Sequence, residues 1–181
     1  MKYIVLLRGI NVGTGKKVDM KRIRALFTDT GFTEVSTYIN SGNIFLESPE
    51  PRENVEEKVG SILRGEFTFD IPTLVKTEQE IAQIAAVIPD EWANDSEQKT
   101  DVAYLFPEID SAEIVEELPF NRDYIDLRYA EGAVIWNLER KNYSKSRLNK
   151  IIGHRLYQLM TVRNVNTARY LAGYSPLSAD S

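Results

Sequence analysis

Read by its apolar periodicity, the chain runs through one order of elements twice: strand, helix, hairpin, helix, strand. The first strand, residues 3–8, is apolar at both parities, with Tyr3, Val5 and Leu7 on one side and Ile4 and Leu6 on the other. That is the pattern of a strand covered on both faces. A glycine-rich loop follows, then a helix from Asp19 to Thr30 with Asp19 as N-cap, Gly31 just beyond its end, and a stripe of Met20, Ile23, Leu26 and Phe27. Strands near 34–39 and 43–47 flank the turn Asn40-Ser41-Gly42-Asn43. Pro51 opens a helix burying Val55, Val59, Ile62 and Leu63, with Gly65 at its end, and a strand near 73–76 closes the half.

The capping-box pattern Thr77-Glu78-Gln79-Glu80 opens a third helix, with Ile81, Ile84, Ala85 and Ile88 inward and Pro89 as its stop. The polar residues 90–100 read as a linker. The order then repeats: a strand over 101–106, a short helix over 110–118 and a hairpin of 124–129 and 133–139 around Glu131-Gly132. A helix over 146–158 follows, with Leu148, Ile151, Ile152 and Leu159 inward, then a strand over 160–163 and a final helix capped by Asn164 or Asn166. The two hairpin turns lie about 90 residues apart. These observations predict an α+β protein of two tandem ferredoxin-like βαββαβ halves, a structural duplication joined by a helix and polar linker. The boundaries expected are 1–77 for the first half, 78–100 for the linker helix and loop, and 101–181 for the second half with its C-terminal helix.

Composition narrows the chemistry. At 181 residues and 43% hydrophobic, the chain can bury a sizeable core. It has no cysteine, which excludes disulfides, thiolate nucleophiles and cysteine-ligated metals. No apolar stretch is long enough to span a bilayer, and the first residues lack a signal-peptide pattern, so the expectation is a cytoplasmic protein without a membrane partner. The net charge of −5 conceals a segregation. Residues 1–46 carry seven Lys/Arg against three Asp/Glu, residues 47–126 six against twenty-one, and residues 127–179 nine against two. Two basic ends therefore flank an acidic middle, and they make one basic region if they meet in space and two solvated faces if they do not.

Polar strings follow the core strands. Gly13-Thr14-Gly15-Lys16-Lys17 sits where a phosphate loop sits, but Ile10 and Lys17 break the P-loop pattern at its first glycine and its hydroxyl residue. What remains is backbone N–H groups near a helix start with two lysines, a setting that suits an anion. Tandem βαββαβ units also invite comparison with RNA-recognition modules, but Gly42-Asn43-Ile44-Phe45-Leu46 lacks their aromatic run. Arg140, Lys141, Lys145, Arg147, Lys150, His154 and Arg155, with Tyr143 and Tyr157 interleaved, suit either a phosphate backbone or a solvated helix face. His154 is the only histidine, so any Ser-His-Asp arrangement must use it, and its place among cations on the polar side of its expected helix suits a general base poorly; no catalytic constellation is identifiable. One histidine and no cysteine also argue against zinc, and no cofactor is expected. Trp92 and Trp136 read as packing residues, and Gly153 inside a helix as the mark of a close helix contact.

Several strings together carry a resemblance: Leu6-Leu7-Arg8-Gly9-Ile10-Asn11-Val12-Gly13, Met20 with Ile23 and Arg24, Gly31-Phe32 with Val35, Thr37-Tyr38-Ile39-Asn40-Ser41-Gly42-Asn43, and Thr161-x-Arg163-Asn164-x-Asn166-Thr167. They resemble the bacterial family of domain of unknown function 1697 over nearly the whole chain. The chain departs from the family's usual form at Thr14-Gly15 and at Asn40. The resemblance implies a duplicated α+β architecture and supplies no activity, substrate or cofactor. The leading functional expectation is therefore binding of an anionic ligand, a nucleic acid or phosphorylated metabolite, at the junction of the halves. Its candidate residues are Arg8, Asn11, Lys16, Lys17, Asn40, Asn43, Arg163 and Asn164, with Arg8 and Arg163 near each other. The alternative is an interaction or structural module whose Arg and Asn side chains are buried and hydrogen-bonded to backbone.

Overall fold

The computed structural model describes residues 1–13 and 15–173; Thr14 of the glycine loop and Asp180 lie outside the described residues. Among them are two four-stranded antiparallel sheets and six α-helices, a mixed α+β chain. The chain divides into two compact units, Met1–Glu78 and Gln79–Ser181.

The first unit holds β1 (Lys2–Leu7), α1 (Met20–Asp29), β2 (Thr33–Tyr38), β3 (Asn43–Glu47), α2 (Arg52–Glu66) and β4 (Thr73–Thr77), with sheet order β2-β3-β1-β4. Val5 of β1 pairs with Ile44 on one side and Val75 on the other. The face carrying Tyr3, Val5 and Leu7 packs on Ile23 and Phe27 of α1 and on Val55, Val59 and Leu63 of α2. Each such side chain withdrawn from water contributes about 1.5–3 kcal/mol. Ile4 and Leu6, on the opposite face, are buried as well, as the double-parity pattern requires.

Local signals act as the sequence indicates in several places. The Asp19 carboxylate accepts the Lys21 N–H at 2.9 Å and so caps α1, and Gly31 takes φ +104° just beyond the helix end. Two details differ. Gly65 lies inside the last turn of α2, which closes when Phe67 N–H donates to the Leu63 carbonyl. Ile39 leaves the strand and takes φ +50°, and a register shift between Thr33 and Ser36, with Glu34 at φ +51°, bends β2 before it.

The second unit contains most of α3 (Glu78–Ala86), whose Ile81, Ile84 and Ala85 are buried. The stretch 90–100 is more built than a linker. Trp92 is buried, the Thr100 hydroxyl donates to the Ala93 carbonyl, and the Asp95 carboxylate accepts the N–H groups of Glu97 and Gln98. Those two bonds hold the Asp95 carboxyl below its usual range. The residues Gln98 to Thr100 already belong to β5 (Gln98–Leu105). A 3-10 turn (Pro107–Ile109), α4 (Ile114–Glu117), β6 (Asp126–Ala130), β7 (Ala133–Glu139), α5 (Tyr143–Ser146), β8 (Met160–Asn164) and α6 (Val165–Leu171) complete it, with sheet order β6-β7-β5-β8. Trp136 fills the core, stacking edge-on against Phe120 and donating its indole N–H to Asp101 at 2.9 Å.

The expected helix over 146–158 is the clearest correction. Arg147 takes φ +62° and breaks it, and 3-10 turns follow at Leu148–Ile151 and Arg155–Leu159. A 3-10 turn aligns residues three apart, so Leu148 and Ile151 are buried while Ile152 turns outward and is 67% exposed. The helix expected over 110–118 shrinks to α4, Ile114–Glu117, and a 3-10 turn at Pro107–Ile109 precedes it.

The central strand of each unit ends in the same clasp. Leu7 N–H donates to the Gly42 carbonyl and Arg8 N–H to the Pro72 carbonyl, each at 2.9 Å. In the second unit Leu105 N–H donates to Gly132 and Phe106 N–H to Leu159, also at 2.9 Å. Gly42 and Gly132 are the hairpin glycines, at φ +87° and +91°. A Cβ on Gly42 would stand 2.7 Å from the Leu7 Cβ, whereas one on Gly9, at φ +74°, would meet nothing within 4 Å. Gly42→Ala should therefore cost about 2–4 kcal/mol through clash and strain together. Gly9→Ala should cost only about 1–2 kcal/mol from backbone conformation. Urea unfolding of the two variants measures the difference, and equal losses would contradict the close approach.

Candidate functional site

The loop that leaves β1 in the first unit is set by one amide. Asn11 takes φ +55°, a conformation asparagine tolerates better than most residues. Its Nδ2 donates to the Val18 carbonyl at 2.9 Å and to the Asn40 carbonyl at 2.7 Å, while its Oδ1 accepts the Val18 N–H at 2.8 Å. Its own N–H donates to the Lys16 carbonyl. A single side chain thus joins the loop, the entry to α1 and the hairpin turn. Ile10 and Val18 are buried in the core on either side of it.

Asn43 does comparable work from the hairpin. It is fully buried, and its Nδ2 donates to the Tyr38 carbonyl at 3.0 Å and the Ser41 hydroxyl at 2.9 Å. Asn40 is exposed and contributes its carbonyl to Asn11. Lys16 and Lys17 are exposed; Lys16 Nζ reaches the Asp70 carbonyl at 3.4 Å and Lys17 Nζ the Gly13 carbonyl at 3.1 Å. Arg8 is half-buried at the start of the loop.

The loop's backbone has a regular feature that composition alone does not reveal. Gly9, Asn11 and Gly13 have φ of +74°, +55° and +64°, while Ile10 and Val12 between them stay on the negative side. Alternation of left- and right-handed residues is the backbone pattern of anion-binding nests, and here the Asn11 N–H in the middle of the run is given to the Lys16 carbonyl. Among the described residues, the N–H groups of Gly9, Ile10, Val12 and Gly13 donate to no protein acceptor. Two aliphatic residues next in sequence to Asn11 and Asn40 are exposed, Val12 at 72% and Ile39 at 51%. Ile39 holds a left-handed conformation that costs a β-branched residue about 1–2 kcal/mol. Its β-branched chemistry reads as strand, so sequence reasoning missed it; only the neighbouring Asn40 and Gly42 hint at the tight turn.

In the second unit, Arg163 and Asn164 serve the fold. Arg163 is buried, with its guanidinium donating to the Thr161 hydroxyl at 2.7 Å and the Val162 carbonyl at 3.0 Å. Burial pushes its pKa down to about 10 against an opposing pull from Tyr104. Asn164, not Asn166, caps α6 by accepting the Thr167 N–H. The basic run after Arg140 does not share one helix face. Arg140 bonds Asn94 and the Asp95 carbonyl, Lys141 pairs with Glu139, Arg155 with Glu117, and Lys145 lies over the Tyr124 ring. On α1, Arg22 is paired with Glu66 at 2.8 Å, leaving Lys21 and Arg24 as that helix's other exposed cations. A groove of about 740 Å³ near Trp92, Asn137 and Glu139 is lined by charges of both signs. Among the described residues no group of three His, Asp or Glu side chains is gathered as a metal site, and no helix is long and apolar enough to cross a membrane.

Asn11→Ala removes the loop's brace and leaves main-chain groups at Val18 and Asn40 without it. The expected loss is about 1–3 kcal/mol. Hydrogen exchange should show the opening confined to the loop, the start of α1 and the hairpin turn; a variant as protected there as the parent would remove Asn11 from this role.

A family model described as a protein of unknown function (DUF1697) matches residues 1–136, from β1 into β7. No curated protein matches the chain. Among solved structures, the conserved bacterial protein SP0830 from Streptococcus pneumoniae is similar over 95% of this chain and 97% of its own, with a TM-score of 0.82 and 25% identity. The family match takes in the braced loop and the clasped hairpin of the first unit together with most of the second sheet, and on it the chain belongs to the DUF1697 family.

Proposed function

We propose that this protein binds a phosphate-bearing ligand, a nucleic acid or a phosphorylated metabolite, at the loop following β1. The observation that carries this reading is the alternating backbone at residues 9–13, with four main-chain N–H groups that have no protein acceptor. Lys16 and Lys17 supply positive charge on the same loop, and Arg8 opens it. Asn11, Asn40 and Asn43 hold the concavity in shape rather than supply its contacts. That division departs from the sequence expectation, which gave all of them to the ligand along with Arg163 and Asn164.

A second reading has its own observation. Asn11, Asn43, Arg163 and Asn164 each spend side-chain hydrogen bonds on their own unit, which favours a structural or interaction module. The matched strand orders, β2-β3-β1-β4 and β6-β7-β5-β8, and the matched clasps support ferredoxin-like halves arising by duplication under either reading. A cytoplasmic location belongs with the binding reading, because the chain has no cysteine and its ligands are intracellular anions.

Backbone amide NMR during titration with inorganic phosphate and with DNA and RNA oligomers tests the proposal. Shifts should concentrate on Gly9, Ile10, Val12 and Gly13. Binding to a nucleic acid should weaken with salt at a log–log slope near −0.9 per duplex phosphate neutralised, or about −0.7 on single strands, and a small phosphorylated ligand should show a shallower dependence. Lys16→Gln with Lys17→Gln should weaken binding about tenfold or more while leaving the unfolding midpoint unchanged. Absence of any shift at these amides at low salt returns the loop to the structural reading.

A further inference from the structure

We infer that the ligand of this loop is a nucleoside phosphate, with the phosphate on the N–H concavity and the base laid on Val12 and Ile39; this rests on the proposed reading of the loop. Val12 is 72% exposed and Ile39 51%, so neither adds appreciably to the core. At Val12 the concavity uses only a main-chain N–H, which any residue except proline supplies. Ile39 is harder to place. It occupies a left-handed position in a tight turn, where asparagine or glycine would sit without strain, and the fold gains little burial from it in return.

The two residues also lie on adjoining stretches of chain. Val12 follows Asn11 and Ile39 precedes Asn40, and the Asn11 Nδ2 bond to the Asn40 carbonyl, 2.7 Å, brings those two stretches of chain side by side. The same loop carries Lys16, Lys17 and the free N–H groups. Cationic and N–H donors next to exposed aliphatic side chains suit a ligand that is anionic at one end and flat and apolar at the other. A sugar phosphate offers no apolar face. A nucleoside phosphate offers both ends, and its base lies flat on branched aliphatic surface without needing an aromatic partner.

Calorimetric titration of the full chain with inorganic phosphate, ribose 5-phosphate, adenosine 5′-monophosphate and phosphatidylglycerol vesicles tests this, run in parallel on Ile39→Asn and Ile39→Gly. Adenosine monophosphate should bind at least tenfold more tightly than ribose 5-phosphate. Both variants should lose that advantage and keep their affinity for inorganic phosphate. Ile39→Asn should also raise the unfolding midpoint by about 2–4 °C, because it relieves the left-handed isoleucine. Affinity for the base and stability of the fold should thus move in opposite directions, a result that a purely structural Ile39 does not give. Equal binding of ribose 5-phosphate and adenosine monophosphate, or an advantage that survives both variants, overturns the inference and leaves the phosphate site standing. Vesicle binding abolished by Ile39→Asn, without nucleotide binding, overturns it in favour of a lipid headgroup. Failure of inorganic phosphate and of every other probe overturns the loop reading itself.

Discussion

Each unit depends on how its central strand ends. A strand paired on both sides must stop without leaving its last N–H groups unsatisfied in the interior. Both units solve this with two carbonyls, one from the hairpin glycine and one from the residue before the last strand. The hairpin and the closing strand therefore meet at the point where the chain leaves the sheet. Glycine is required at the hairpin because the backbone is left-handed there and, at Gly42, packs directly on Leu7. Whatever follows the central strand is delivered to one end of the sheet, between two anchored segments, and this is where a sequence is free to build a loop rather than continue a ladder.

How much of this was legible in the sequence follows the range of the interaction concerned. The Asp19 and Asn164 caps, the glycine-centred hairpins and the double-parity strand are local, and residues within one turn decide them. The region after Arg140 was not legible, because an apolar spacing of three with occasional fours fits α and 3-10 geometry equally well. Arg147 in a left-handed conformation decides between them, with the buried Ser146 hydroxyl accepting the Leu148 N–H. The stretch 90–100 looked like a linker because its residues are polar, yet the polar groups of Asp95, Gln98 and Thr100 are the ones that fasten it. Polarity in a sequence does not separate solvated groups from internally bonded ones.

The same ambiguity runs through the candidate site. Asparagine and arginine after a strand suggest recognition, but an amide has donors and an acceptor that suit main-chain partners equally well. In Asn11 and Asn43 that capacity goes into the fold. Lysine has no acceptor and a long flexible stem, so it braces a backbone poorly. The bonds of Lys16 and Lys17, at 3.4 and 3.1 Å on exposed side chains, are correspondingly slight. In this loop and hairpin the two lysines and the two exposed aliphatics, Val12 and Ile39, thus do less for the fold than Asn11 and Asn43.

The two units differ most in the segment that follows the central strand. Between β1 and α1 the first unit has a loop with four left-handed residues among those described, Gly9, Asn11, Gly13 and Lys16, two exposed lysines and N–H groups without a protein acceptor. At the corresponding place in the second unit, Phe106 passes straight into the turn at Pro107–Ile109, and the segment carries Glu108, Asp110, Glu113, Glu116 and Glu117. There the Asp110 carboxylate accepts the Gly132 N–H at 3.0 Å and the Tyr129 hydroxyl at 2.7 Å. The second unit supplies its own anion to its hairpin N–H, and Glu131 and Glu113 lie close enough to add to the upward push that burial and Asp110 exert on the Tyr129 hydroxyl's pKa. After their central strands the two units thus carry segments of different character, lysines and N–H groups without a protein acceptor among the described residues in the first and carboxylates in the second.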